Sequence, residues 1–138
     1  TLYREIRDRI NNTAYQAING TTDSEHIFAL LINELQASPE INLETALHKT
    51  LINLTELAAS YQVSFSGNII ISDGQRLIGS RFAHNTATPS LYWLRDDPTF
   101  PNSVIIASEP LFTGNWISFG ERTIITVEQE LDVQIYEF

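Results

Sequence analysis

After Gln62 the spacing of the apolar residues changes, and that change decides which folds are open to the chain. Up to that point apolar residues recur every three or four positions, the repeat of a helix with one buried face. Beyond it they fall in short runs, some alternating, separated by Pro, Gly and Asn, the pattern of strands and turns. Helices first and strands afterwards predict an α+β chain with a helical layer on one face of an antiparallel sheet. With 138 residues, 43% of them hydrophobic, there is apolar material for one core, and a single domain over residues 1–138 is expected.

In residues 1–10, Leu2, Ile6 and Ile10 recur at four-residue steps with charges between them, which predicts an amphipathic helix stopping at Asn11-Asn12. Residues 13–19 read as a short second helix with Ala14, Ala17 and Ile18 on one face, ended by Gly20 as a left-handed cap. Thr22-Asp23-Ser24-Glu25 has the capping-box pattern: the Thr22 hydroxyl serves the Glu25 amide, and the Glu25 carboxylate reaches back to the amide of Thr22. Ile27, Leu30, Leu31 and Leu35 supply the buried stripe of that helix, and Pro39 closes it. A fourth helix is predicted over residues 43–60, with Leu43, Leu47, Leu51, Leu54 and Leu57 as its core face.

Among the extended segments, residues 68–71 and 76–79 flank Asp73-Gly74, the preferred two-residue type I′ loop, and so predict a hairpin. Residues 90–94, 103–108, 122–128 and 133–136 follow as further strands of one sheet, and Arg95-Asp96-Asp97-Pro98 reads as a turn.

A net charge of -9 and a pI near 4.6 repel polyanions, and no Lys/Arg cluster overrides that field, so nucleic acid is not expected as a partner. No apolar run approaches the roughly 18 residues of a membrane span, and the start lacks the basic-then-apolar pattern of a signal peptide. No membrane partner and a soluble, cytoplasmic protein are expected. The absence of Cys excludes disulfides, thiolate metal sites and a cysteine nucleophile within these residues. Met is absent too, and a chain beginning Thr1-Leu2 in a helix reads as a fragment, a processed product or a truncated form.

Three stretches in this order, Gly20-Thr21-Thr22-Asp23-Ser24-Glu25, residues 68–81, and Ile105-Ile106-Ala107-Ser108-Glu109-Pro110, resemble the glutaminase domain of class II glutamine amidotransferases. In that family a Thr-Asp-Ser/Thr-Glu motif opens a helix, a meander with an Asp-Gly hairpin follows, and an Ala-Ser-Glu segment lies on a later strand. The phrase Asp23-Ser24-Glu25-His26-Ile27-Phe28-Ala29-Leu30, with Pro89-Ser90-Leu91-Tyr92 downstream, is similar to the stand-alone members. These include the γ-glutamyl hercynylcysteine sulfoxide hydrolase of ergothioneine biosynthesis and the related glutathione-degradation subunit.

The resemblance covers essentially the whole chain. It implies part of the four-layer αββα sandwich of N-terminal nucleophile hydrolases, with residues 1–138 as the C-terminal portion of one domain. It implies amide hydrolysis or transfer through a cysteine acyl-enzyme, with no cofactor. The cysteine, the oxyanion-hole Asn-Gly and the Arg for the substrate carboxylate belong to the first half and are not found in these residues. The implied partners are glutamine or a γ-glutamyl small molecule and that N-terminal half; assembly as a homo-oligomer stays open.

Carried over onto this chain, Asp23 matches the family aspartate that grips the substrate α-amino group. An ammonium needs an anionic acceptor, and a carboxylate at a helix start is kept ionised by the amides and the positive dipole end. The plainer reading is a first-turn acidic residue favoured by the dipole alone. Thr1 has the chemistry of an N-terminal nucleophile, but it precedes a helix where such nucleophiles open a strand. His26, His48 and His84 are too scattered for a zinc set, so surface or cap roles are expected for all three. Glu109, the Asp96-Asp97 pair and the aromatics Tyr92, Trp93, Phe112 and Trp116 read as structural. Against the enzyme stands a non-catalytic amidotransferase-like module that binds a partner through its acidic helical face.

Overall fold

Helix α1, Leu2–Arg9, forms on the expected repeat, with Glu5 in its first turn, Arg7 and Arg9 in its last, and Ile6 buried. The computed structural model describes residues 2–138, so a nucleophilic role for Thr1 lies outside the described residues. These residues form two compact units, one ending at Val63 and one beginning at Ser64.

The second helix differs from its sequence pattern. Asn11 is not a stop but the N-cap of α2, Asn12–Gln16, its Oδ1 accepting the Ala14 amide at 2.9 Å. A capping side chain at Asn11 fixes the start one residue earlier, and Ala17 already lies beyond the end as C-cap. Gly20 is not a left-handed cap either, since its φ is not positive. Its lack of a side chain serves close approach: a Cβ there would stand 2.6 Å from Oε2 of Glu25.

Helix α3, Asp23–Ala37, carries both halves of the capping box, and α4, Leu43–Ser60, starts from Asn42, whose Oδ1 accepts the Thr45 amide. The two long helices pack together, with Ala29, Leu30 and Leu31 buried on α3 and the stripe Leu47, Leu51, Leu54 and Leu57 buried on α4. Asn53 of α4 also donates to Glu34 of α3 at 2.6 Å. Among the described residues no helix is long and apolar enough to cross a membrane.

From Ser64 the chain forms β1 (Phe65–Ser66), β2 (Ile69–Ser72), β3 (Leu77–Arg81), β4 (Ala83–His84), β5 (Tyr92–Asp97), β6 (Phe100–Ala107), β7 (Ile117–Ser118), β8 (Thr123–Val127) and β9 (Val133–Glu137). Helices first and antiparallel strands afterwards is the expected α+β order. The strands, however, make three sheets rather than one: β2-β3-β8-β9, β6-β5-β7 and the short β1-β4 pair. The two larger sheets share a core of Leu91, Trp93, Phe119, Ile125 and Val127, backed by Leu77, Val104, Ile106 and Val133. Gly79 of β3 makes room for that core, since a Cβ there would lie 3.0 Å from Ile125 Cγ2 and 3.6 Å from Ile106 Cδ1.

The Asp-Gly hairpin is present but wider than expected. Ser72 pairs with Leu77, so the loop comprises residues 73–76 rather than two residues. A type I′ turn needs positive φ at both central residues, and Gly74 has φ +90 while Asp73 does not enter the left-handed region. Asp73 Oδ1 instead accepts the amides of Gln75 (2.9 Å) and Arg76 (2.8 Å), which holds the longer loop.

Arg95, Asp96 and Asp97 lie on β5 rather than in a turn, with a register shift between Arg95 and Asp97. Asp96 accepts the Asn102 amide at 2.8 Å and Asp97 the Thr99 amide at 2.9 Å. Both carboxylates therefore build the β5–β6 connection.

Candidate functional site

The start of α3 brings together the residue types that can bind charge. Thr22, in extended conformation, places its Oγ1 3.3 Å from the Glu25 amide, and Glu25 Oε2 lies 3.3 Å from the Thr22 amide and 2.9 Å from the Thr22 hydroxyl. Glu25 Oε1 reaches further back to the Asn19 amide at 3.3 Å. The Thr22 hydroxyl first, then the amides of Thr22, Asn19 and Gly20, hold the Glu25 carboxyl below its ordinary range. One side chain thus ties the preceding loop to the helix, which is why the close approach at Gly20 matters.

Asp23 is the first residue of α3 and is exposed. Its Oδ1 accepts a hydrogen bond from the Tyr3 hydroxyl. That donation, followed by partial desolvation and the charge of Asp23, raises the Tyr3 phenol above its ordinary value, so Tyr3 is a neutral donor at neutral pH.

His26 departs from its expected surface or cap role: its side chain is fully buried. Nδ1 lies 2.8 Å from the Thr22 carbonyl oxygen, so it carries the proton, and Nε2 accepts from Arg7 Nε at 3.2 Å. Its own backbone amide reaches the same carbonyl at 3.5 Å, so the ring supplies the shorter bond of this first turn. The Tyr3 ring stacks on the imidazole with centroids 4.4 Å apart and planes 22° apart. His48 and His84 are partly exposed, and His84 stacks on Phe65.

The helical repeat explains the arrangement. Tyr3 and Arg7 are four residues apart on α1, and Asp23 and His26 three apart on α3, so each pair shares a face. Where the two faces meet, Tyr3 contacts both residues of α3 and Arg7 contacts His26. Sequence reasoning singled out Asp23 and not Tyr3, His26 and Arg7, which the structure brings beside it; the two matched spacings are the signal that would have placed them there.

The other stretches are built into the strand unit. Asn68 donates to the carbonyls of Pro89 and Ser90, and Arg81 to those of Pro89, Phe119 and Thr88. Glu109 is exposed, Trp93 is buried in the shared core, and Trp116 donates to the Phe112 carbonyl. Two concave regions, one of about 440 Å³ lined by Gln75, Arg76, Glu128, Gln129, Glu130 and Asp132, and one of about 170 Å³ lined by Glu34, His48, Lys49, Ile52 and Asn53, contain neither Asp23 nor His26. The first is acidic, and its Arg76 is paired with Glu128 at 2.9 Å. Among the described residues no group of three or more His, Cys, Asp and Glu could hold a metal ion.

Residues 2–106 match the family model described as glutamine amidotransferases class-II. Among solved structures, a glutamine aminotransferase class-II domain protein from Silicibacter pomeroyi is similar at a TM-score of 0.79 and 25% identity, over 99% of this chain. The chain spans 61% of the length of that structure. No curated protein matches.

Proposed function

Because the chain belongs to the class-II glutamine amidotransferases, we propose that it is the substrate-anchoring, C-terminal portion of a glutaminase-type domain acting on glutamine or a γ-glutamyl amide. In this reading a cysteine thiolate from the N-terminal half attacks the side-chain amide carbon, and the C–N bond breaks. The leaving nitrogen takes the proton that the thiol gave up to the cysteine's own α-amino base, and departs as ammonia from glutamine or as an amine from a γ-glutamyl amide. Water then cleaves the thioester to release glutamate and restore the thiol. The residues of this chain bind and orient.

The observation that supports the reading is the Asp23 carboxylate, exposed at the first turn of a capped helix and held by the Tyr3 hydroxyl. A carboxylate accepts through both oxygens, so the bond to Oδ1 leaves Oδ2 open to an α-ammonium. The similarity of Asp23-Ser24-Glu25-His26 to stand-alone members favours a γ-glutamyl compound of the ergothioneine or glutathione type over a channelled-ammonia enzyme.

Glutamate release by the intact polypeptide carrying this segment tests the proposal. Asp23→Ala removes one charge-assisted contact of about 1.5–3 kcal/mol and should raise KM for glutamine roughly 10- to 100-fold with only a small drop in Tm, from the lost first-turn charge and Tyr3 bond. An unchanged KM would take Asp23 out of the site. Failure to release glutamate even from the unaltered polypeptide would favour the binding-module reading.

A further inference from the structure

We infer that Tyr3 is a positioning residue for the Asp23 carboxylate and, through it, makes the α3 start selective for substrates with a free α-ammonium. This rests on the role of Asp23 proposed above. An exposed aspartate at the first position of a helix has several rotamers open to it, and binding must freeze one. The Tyr3 hydroxyl holds Oδ1 before any ligand arrives.

Tyr3 is itself held. Its ring lies on His26, which is fully buried and bonded at both nitrogens, to the Thr22 carbonyl at 2.8 Å and to Arg7 at 3.2 Å. Arg7 stands one turn along α1 from Tyr3, so the helix that presents the phenol also fixes the ring it rests on. The support therefore runs from α1 to His26 and back to Tyr3, whose hydroxyl donates to the carboxylate.

The donor type matters as much as its position. A neutral phenol satisfies one carboxylate oxygen without cancelling the charge, whereas a Lys or Arg there would neutralise what an ammonium needs. The carboxylate raises the phenol further, which keeps that donor protonated at neutral pH. A substrate lacking the α-amine would cover a charged carboxylate and offer it no donor, which is a strong basis for rejection.

The test uses the intact polypeptide and two substrates, glutamine and glutaramate, the same side-chain amide with hydrogen in place of the α-amino group, with ammonia release as the readout. Tyr3→Phe keeps the ring on His26 and removes only the hydroxyl. It is expected to raise KM for glutamine about fivefold with kcat changed less than twofold, and to leave KM for glutaramate unchanged. Arg7→Ala, which leaves the hydroxyl but frees the imidazole, should shift the same ratio in the same direction by a smaller factor, and it carries the test if Tyr3→Phe lowers Tm. Asp23→Ala is run alongside. If Asp23→Ala raises KM for glutamine and Tyr3→Phe does not, or if Tyr3→Phe raises KM equally for both substrates, the inference is overturned and the role of Asp23 stands. If Asp23→Ala itself leaves KM for glutamine unchanged, both fall together.

Discussion

In the helical unit the buried imidazole of His26 has both nitrogens occupied, whereas in the strand unit the buried indole nitrogen of Trp93 and the hydroxyl of Thr126 have no hydrogen-bond partner among the described residues. The first arrangement is directional, and losing it would leave the Thr22 carbonyl only the longer 3.5 Å bond from the His26 amide and remove the acceptor of Arg7 Nε. The second carries the cost of unsatisfied polar groups, Trp93 within the shared core and Thr126 between the core residues Ile125 and Val127 on β8. Polar burial therefore fixes the α3 start in one unit and is a cost in the other.

Replacing a buried polar group by an apolar one of similar size should have opposite signs in the two places. His26→Leu is expected to give the largest effect, a loss of about 2–3 kcal/mol in chemical denaturation, because two partners lose their bonds and Tyr3 loses its ring contact. Thr126→Val, on β8 between Ile78 and Gln134, should instead stabilise by up to about 1 kcal/mol. A neutral His26→Leu, or a Thr126→Val that destabilises, would break the contrast.

How much of this could be read in the sequence depends on how far apart the interacting residues lie. The capping box of α3 and the span of α4 are local, set by residues within a few positions of each other, and both were legible. The burial of His26 was not, since Arg7 lies 19 residues from it, and Tyr3 lies 20 from Asp23. A lone histidine after a capping box carries no mark of what will cover it. The division of the strands into separate sheets was hidden for the same reason: β3 pairs with β8, Leu77 opposite Val127, across most of the strand unit. Where a polar side chain competes with the backbone pattern, as Asn11 and Asp73 do, helix ends and loop lengths shift by a residue or two. The position of Asp23 at the opening turn of α3 was legible in its motif, because helix-start chemistry is local.

The smallest expected effect compares one device used in both units, a carboxylate that gathers backbone amides. Glu25 and Asp73 are both held below their ordinary values of 4.5 and 3.8, Glu25 chiefly by the Thr22 hydroxyl and Asp73 chiefly by the Arg76 amide. A depressed carboxyl contributes stability that is fully present above its unfolded value and is lost as pH falls through the lower folded value. Thermal melts of the unaltered chain should therefore drop below about pH 4.5 as each group in turn takes up a proton. The two sites differ in how the oxygens are used: Glu25 employs Oε1 for Asn19 and Oε2 for Thr22, while Asp73 serves both amides with Oδ1 alone. An amide side chain offers a single acceptor oxygen. Glu25→Gln should consequently lose a bond along with the charge and lower Tm at neutral pH, whereas Asp73→Asn keeps both bonds and should lower it less. Each variant's curve should converge on that of the unaltered chain in acid, where protonation has already removed the charge; curves that stay parallel down to pH 3 would mean that neither carboxylate stabilises its turn through ionisation.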